Sequence, residues 1–165
     1  MLFDKEFEFK GKHAVYCRFL KNEINLFKTF REAYTTSAIV GYIYGKKSLK
    51  DNEEKVQPAS ILPSELAQKR AQLTYIYRLI MLLDESDNLS IEECQNRTFR
   101  YDADVEEHPE RLAENMELFN SYVLGGIEIL YDRFKDCRDT KETVNELHDF
   151  LTEFYEDYNL VDDND

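Results

Sequence analysis

The sequence has little of what breaks a chain or staples it together. Five glycines and three prolines in 165 residues leave few places for tight turns, so long regular elements are expected. Cys17, Cys94 and Cys137 are odd in number, widely spaced and without a Cys-x-x-Cys pair. That argues against a disulfide or zinc framework and fits reduced thiols in a cytoplasm. No apolar run reaches the roughly 18 residues of a membrane span. The most apolar window, "YIYRLIMLL" at 75–83, is interrupted by Arg78. The opening "MLFDKEFEFKGK" carries acids and no apolar centre, unlike a signal peptide. No repeat with a period of 20–50 residues is found.

What is present is a globular composition: 42% hydrophobic and 33% charged residues, enough for one domain with a real core. The net charge of −13 is unevenly spread. Residues 1–50 carry ten Lys/Arg against five Asp/Glu, and residues 101–165 carry five against twenty. Either the two ends attract each other within the fold or between subunits, or an acidic face meets a basic partner.

Periodicity is helical almost throughout. Phe3, Phe7 and Phe9 alternate imperfectly and suggest a strand or an extended arm. From Lys12 the apolar spacing turns helical and continues to Tyr44, with a bend expected at Thr35-Thr36-Ser37. Residues 46–62 are polar, contain Pro58 and form the expected long loop. Pro63 opens a helix to about Asp84, apolar nearly all round in its second half and therefore expected to be central and well covered. Ser90 with Glu93 is a capping-box signature. Pro109 opens the clearest helix, with Leu112, Met116, Phe119, Val123, Ile127, Leu130 and Phe134 on one face. The stripe stays in phase across Gly125-Gly126, so one helix is expected, with Gly126 permitting close approach of another. Asp139 and Glu142 precede a last helix whose core face is Val144, Leu147, Leu151, Phe154 and Tyr158. The sum is an all-α, single-domain bundle of five to six helices, with an N-terminal arm (1–11), a long loop (46–62) and an acidic tail (159–165).

The stretch closest to an active-site motif is "IVGYIYGKKS" at 39–48. A phosphate-binding loop needs four residues between its glycines, then Gly-Lys-Ser/Thr, between a strand and a helix. Here three residues separate Gly41 from Gly45, a second lysine precedes Ser48, and the flanks read as helix and loop. A helix stopped by Gly45, with Lys46 and Lys47 near its negative end, is the better reading. "DESDNLSIEECQ" (84–95) resembles a calcium loop, but Leu89 stands where its glycine belongs and Gln95 where its closing Glu belongs. There is no Glu-x-x-His, no His-Glu-x-x-His and no Ser-x-x-Lys to accompany "SDN" at 86–88. No catalytic residues, cofactor or metal are expected. Arg78, inside the most apolar helix, is expected to form a partly buried salt bridge.

The leading expectation is thus a non-enzymatic, cytoplasmic helical protein acting through protein–protein contacts as an adaptor, accessory subunit or regulator. Homodimerisation through the 109–135 helix at Gly126 is one specific form of it. An alternative is a nucleic-acid accessory protein. Its phosphate contacts would come from a surface of Lys21, Lys28, Arg31, Lys46, Lys47 and Lys50, or its acidic half would mimic DNA. A further alternative, an enzyme with an unrecognised site, requires distant polar residues such as Arg78, Glu32 and His148 to converge in a pocket.

Overall fold

The computed structural model describes residues 1–53, 55–85, 87–102 and 107–157. The expected acidic tail and Tyr158 lie outside the described residues. Among the described residues, seven helices and one two-stranded sheet make an all-α single domain.

The N-terminal arm is a strand. β1 (Phe7–Phe9) pairs antiparallel with β2 (Ala59–Ile61), Phe7 opposite Ile61 and Phe9 opposite Ala59. These four side chains share the buried face, as the period of two requires. The long loop is therefore not structureless: its end supplies the partner strand. Ahead of β1, Phe3 stands among Tyr34, Tyr77 and Phe119, with ring centroids 6.5, 6.4 and 5.7 Å away. Its φ of 57° is strained for a bulky side chain, and burial within this aromatic nest holds it there.

α1 (Gly11–Arg18) is started by Asp51, whose Oδ2 accepts the Lys12 N–H at 2.8 Å. A π-helical turn, Phe19–Glu23, follows and ends with Ile24 N–H donating to the Phe19 carbonyl at 3.2 Å. α2 (Phe30–Ile43) is capped by Thr29, whose hydroxyl accepts the Glu32 N–H at 3.1 Å. The bend expected at Thr35-Thr36-Ser37 is absent. Thr35 returns its hydroxyl to the Arg31 carbonyl at 2.9 Å, a bond the helix accommodates.

The helix expected from Pro63 is two helices, α3 (Pro63–Ala67) and α4 (Arg70–Leu83). The break has a tertiary cause. Arg31 on α2 donates to the Glu65 carbonyl at 3.0 Å and to Gln68 Oε1 at 3.1 Å. Lys69 N–H then turns to the Leu66 carbonyl at 3.1 Å instead of continuing the ladder to Glu65. Nor is α4 covered all round: Tyr75, Leu79 and Leu82 are exposed. α5 (Ile91–Gln95) carries the reciprocal Ser90–Glu93 capping box, and a second π-helical turn, Asn96–Arg100, closes it.

α6 (Pro109–Phe134) runs unbroken through Gly125-Gly126. α7 (Thr140–Asp157) begins where Asp139 Oδ1 accepts the Glu142 N–H at 2.8 Å. The principal helix pair is α2 against α6, and it meets backbone to backbone. A Cβ added to Gly126 would lie 2.7 Å from the Ser37 carbonyl carbon and 2.8 Å from the Gly41 nitrogen. A Cβ on Gly41 would lie 2.8 Å from the Tyr122 carbonyl carbon. These distances are below any a real Cβ shows, so each glycine is required by the helix opposite.

Candidate functional site

The segment "GKKS" after α2 is where the charged groups converge. Gly45, with φ 62° and nothing within 4 Å of a built Cβ, terminates α2 in the left-handed conformation. The Lys46 N–H donates to the Gly41 carbonyl at 2.8 Å, and the Ser48 N–H to the Ser121 carbonyl at 2.9 Å. The chain is thereby laid across α6 at Gly125, where a Cβ would strike the Lys46 carbonyl.

Two carboxylates receive what this crossing delivers. Glu128, on α6, faces Lys12 Nζ at 2.9 Å, Lys46 Nζ at 3.1 Å, His13 Nε2 at 2.9 Å and the Ser48 hydroxyl at 2.6 Å. Burial pushes its pKa up, but the hydrogen bonds from Ser48, Lys12, His13 and Lys46 together outweigh that and hold it at about 2. His13, fully buried, is pushed below its usual value by burial, against the pull of Glu128. The neutral ring donates Nε2–H to Glu128, and its Nδ1 has no hydrogen-bond partner.

The second carboxylate, Asp84, ends α4. Lys47 Nζ lies 3.2 Å from its Oδ2, Arg97 Nη1 lies 3.5 Å from its Oδ1, and the Tyr122 hydroxyl donates to Oδ2. Arg97 also donates to the Met81 carbonyl at 2.7 Å and the Asp84 carbonyl at 2.6 Å. Burial and the adjacent Asp84 push the Tyr122 phenol up. Consecutive lysines thus reach different carboxylates and tie α2 to α1, α4, α6 and the second π-helical turn.

Ser48, His13 and Glu128 are residue types of a hydrolytic triad, but their arrangement is not one. In a triad the carboxylate holds the far ring nitrogen, leaving the near one to take the serine proton. Here Ser48 gives its proton to Glu128, the same oxygen faces His13 Nε2, and Ser48 is 3.5 Å from His13. Cys17 is equally unsuited to nucleophilic work, because burial raises its thiol to about 12. Among the described residues no cluster of three His, Cys, Asp or Glu is placed to hold a metal ion, and no helix is long and apolar enough to cross a membrane.

Two concavities stand out among the described residues. One of about 660 Å³ lies beneath the N-terminal arm, bounded by Phe7, His13, Tyr34, Asp51, Met116 and Glu117 among others. The other, about 210 Å³, is an apolar groove between α2 and α7. Ile39, Val40 and Ile43 form one wall, Leu147, Leu151 and Phe154 the other, and Leu130 and Phe134 of α6 the floor. Beside it Val144, Leu151 and Tyr155 stand exposed in a stripe along α7. The apolar arc of α7 is therefore wider than the part it buries through Thr143 and Phe150.

The residues singled out from sequence are dispersed. Lys46 and Lys47 face Glu128 and Asp84. Lys21 lies 5.0 Å over the Phe30 ring, Arg31 is committed to Glu65 and Gln68, Lys28 is exposed, and Lys50 borders the larger cavity. Arg78 reaches Asp102 at 2.8 Å and lies 5.6 Å over Phe99; its own side chain is 38% exposed and that of Asp102 4%. Gly126 faces α2 of its own chain. Arg78, Glu32 and His148 sit on α4, α2 and α7 and do not converge. Sequence reasoning missed Glu128, Asp84, His13, Ser48 and Tyr122. The available signals were a lone acid beside a glycine pair and an excess of lysine in the first fifty residues.

Fold and site together describe a helical protein in which the charged groups after α2 tie helices together and an apolar groove lies between α2 and α7. No protein-family model, curated protein or solved structure matches this chain.

Proposed function

We propose that this is a non-enzymatic interaction protein that takes part of a protein partner into the groove between α2 and α7. The observation that carries this reading is the groove itself: an open concavity with apolar walls from two helices, continuous with the exposed stripe Val144, Leu151 and Tyr155. Apolar concavities rimmed by polar residues are the usual form of such sites. A nucleic-acid role for the basic residues draws less support, because Lys46 and Lys47 are engaged by carboxylates, the half-buried Glu128 and the buried Asp84.

Affinity capture from the native host tests the reading when the wild-type chain is compared with Ile39→Asp/Leu151→Asp. Both substitutions fall on exposed positions, so the fold and melting temperature are expected to be retained. A protein recovered in stoichiometric amount with the wild type and lost with the variant is the expected result. The same proteins recovered with both chains would remove the groove from consideration.

A further inference from the structure

We infer that the cavity beneath the N-terminal arm binds a small, uncharged molecule with an apolar body and an N–H or O–H group, and that this group donates to Nδ1 of His13. The inference goes beyond the groove reading and stands on other residues. At about 660 Å³ the space is that of a small-molecule pocket, for which roughly 300–1,000 Å³ is usual. Phe7, Leu66, Leu112 and Leu124 are buried and line it, which fits an apolar body. Exposed charges of both signs stand around it, Asp4, Glu6 and Glu117 with Lys5, Lys10 and Lys50. A rim of mixed sign does not favour an anion over a cation, so an uncharged ligand matches it best.

His13 sets the need for a donor. Its side chain is fully buried and lines the cavity. Nε2 is committed to Glu128 at 2.9 Å, and Glu128 is not part of the cavity wall. Nδ1 has no hydrogen-bond partner among the described residues. With the Nε2 proton directed to Glu128, Nδ1 carries a lone pair and can only accept. Burial lowers the pKa of the ring and keeps it in this neutral form. A buried acceptor without a donor is costly, and such groups are paired as a rule. Two polar neighbours on the same wall do not supply the donor. Tyr34 spends its hydroxyl on Asn120 Oδ1 at 2.8 Å. Asp51 accepts the Lys12 N–H at 2.8 Å and the Glu53 N–H at 3.1 Å, and these bonds hold its carboxyl ionised, an acceptor only. An N–H or O–H on a molecule in the cavity completes His13 where the chain does not.

The probes are carbazole, a fluorescent, uncharged aromatic with one N–H, and N-methylcarbazole, the same body without the donor. Fluorescence titrations are read for the wild type, His13→Phe, Ala113→Trp, and Leu79→Asp on the exposed face of α4. Ala113 is exposed and lines the cavity, so tryptophan there obstructs the space and leaves the core packing alone. The wild type and the α4 variant are expected to bind carbazole saturably and equally well, and N-methylcarbazole about tenfold more weakly. His13→Phe is expected to lose that preference, and Ala113→Trp to lose both probes. In the wild type the nitrogen NMR resonance of Nδ1 is expected to move upfield with carbazole and to stay in place with N-methylcarbazole, a reading that stands even where His13→Phe does not fold. Equal binding of the two probes by the wild type, a preference that survives in His13→Phe, or an unmoved Nδ1 resonance overturns the inference. So does binding of neither probe, which leaves the cavity to water, and binding undiminished in Ala113→Trp, which puts the probe elsewhere.

Discussion

Gly126→Ala is expected to destabilise the fold by about 2 kcal/mol or more. The added methyl meets the backbone of α2, at the Ser37 carbonyl and the Gly41 nitrogen. No side chain can rotate away, so α2 and α6 must separate along the principal contact of the domain. Overpacking of this kind costs roughly 1–3 kcal/mol and more when nothing can yield; backbone against backbone belongs at the upper end. The gain in helix propensity from glycine to alanine returns only about 1 kcal/mol. For a domain of this size the melting temperature should fall by roughly 4–8 °C. Gly45→Ala is the control. It meets no atom within 4 Å, and with φ at 62° it should cost about 1 kcal/mol from backbone strain alone. Equal losses at the two positions, measured by urea denaturation, would contradict the close crossing of α2 and α6.

Glu128→Gln is expected to remove a large, pH-dependent contribution. The folded carboxyl sits at about 2 against an ordinary 4.5. Its ionised form therefore stabilises the fold at neutral pH by about 3 kcal/mol. Because the folded pKa is depressed, that contribution is complete above pH 4.5 and disappears as pH falls toward 2. His13 adds a loss of the same sign. Its folded pKa lies below 6.5, so acidification below that value protonates the unfolded chain more readily than the folded one. Glu128→Gln keeps the shape of the side chain but leaves Lys12 and Lys46 facing each other without their anion. Wild type and variant should differ by about 2–3 kcal/mol at pH 7 and converge near pH 2. Stability curves that run parallel across this range would show that Glu128 is not the hub of these contacts.

Local signals carried much of the architecture. The stripe from Leu112 to Phe134 is the buried face of α6, and its phase across Gly125-Gly126 announced an unbroken helix. The capping box of Ser90 and Glu93 and the turn at Asp139 to Glu142 lie where hydroxyl and carboxyl spacing put them. What escaped depends on contacts between distant parts of the chain. The split between α3 and α4 is set by Arg31, more than thirty residues earlier, competing for the Glu65 carbonyl. The strand Ala59–Ile61 exists because Phe7–Phe9 pairs with it; alone it is three residues of loop. α4 reads as apolar all round, yet Tyr75, Leu79 and Leu82 lie on an exposed face. At the charged centre, "GKKS" marked the right segment, but its lysines were read as surface charge. Their direction is fixed by Gly125, which lets the segment cross α6, and by Glu128 and Asp84, which then stand within reach. Glu128 lies outside the apolar stripe of α6, and nothing local signals that α1 and the 46–48 crossing would half-bury it.

The groove between α2 and α7 is tested most directly by hydrogen–deuterium exchange of the full chain with and without the protein that affinity capture recovers with the wild type but not with Ile39→Asp/Leu151→Asp. Slowed exchange is expected in the second half of α2, around Ile39 to Ile43, and along α7 from Val144 to Tyr155, with α4 and residues 45–48 unchanged. Protection centred on α4, or on the lysine segment after Gly45, would place the contact elsewhere and contradict the account of how this protein meets its partner.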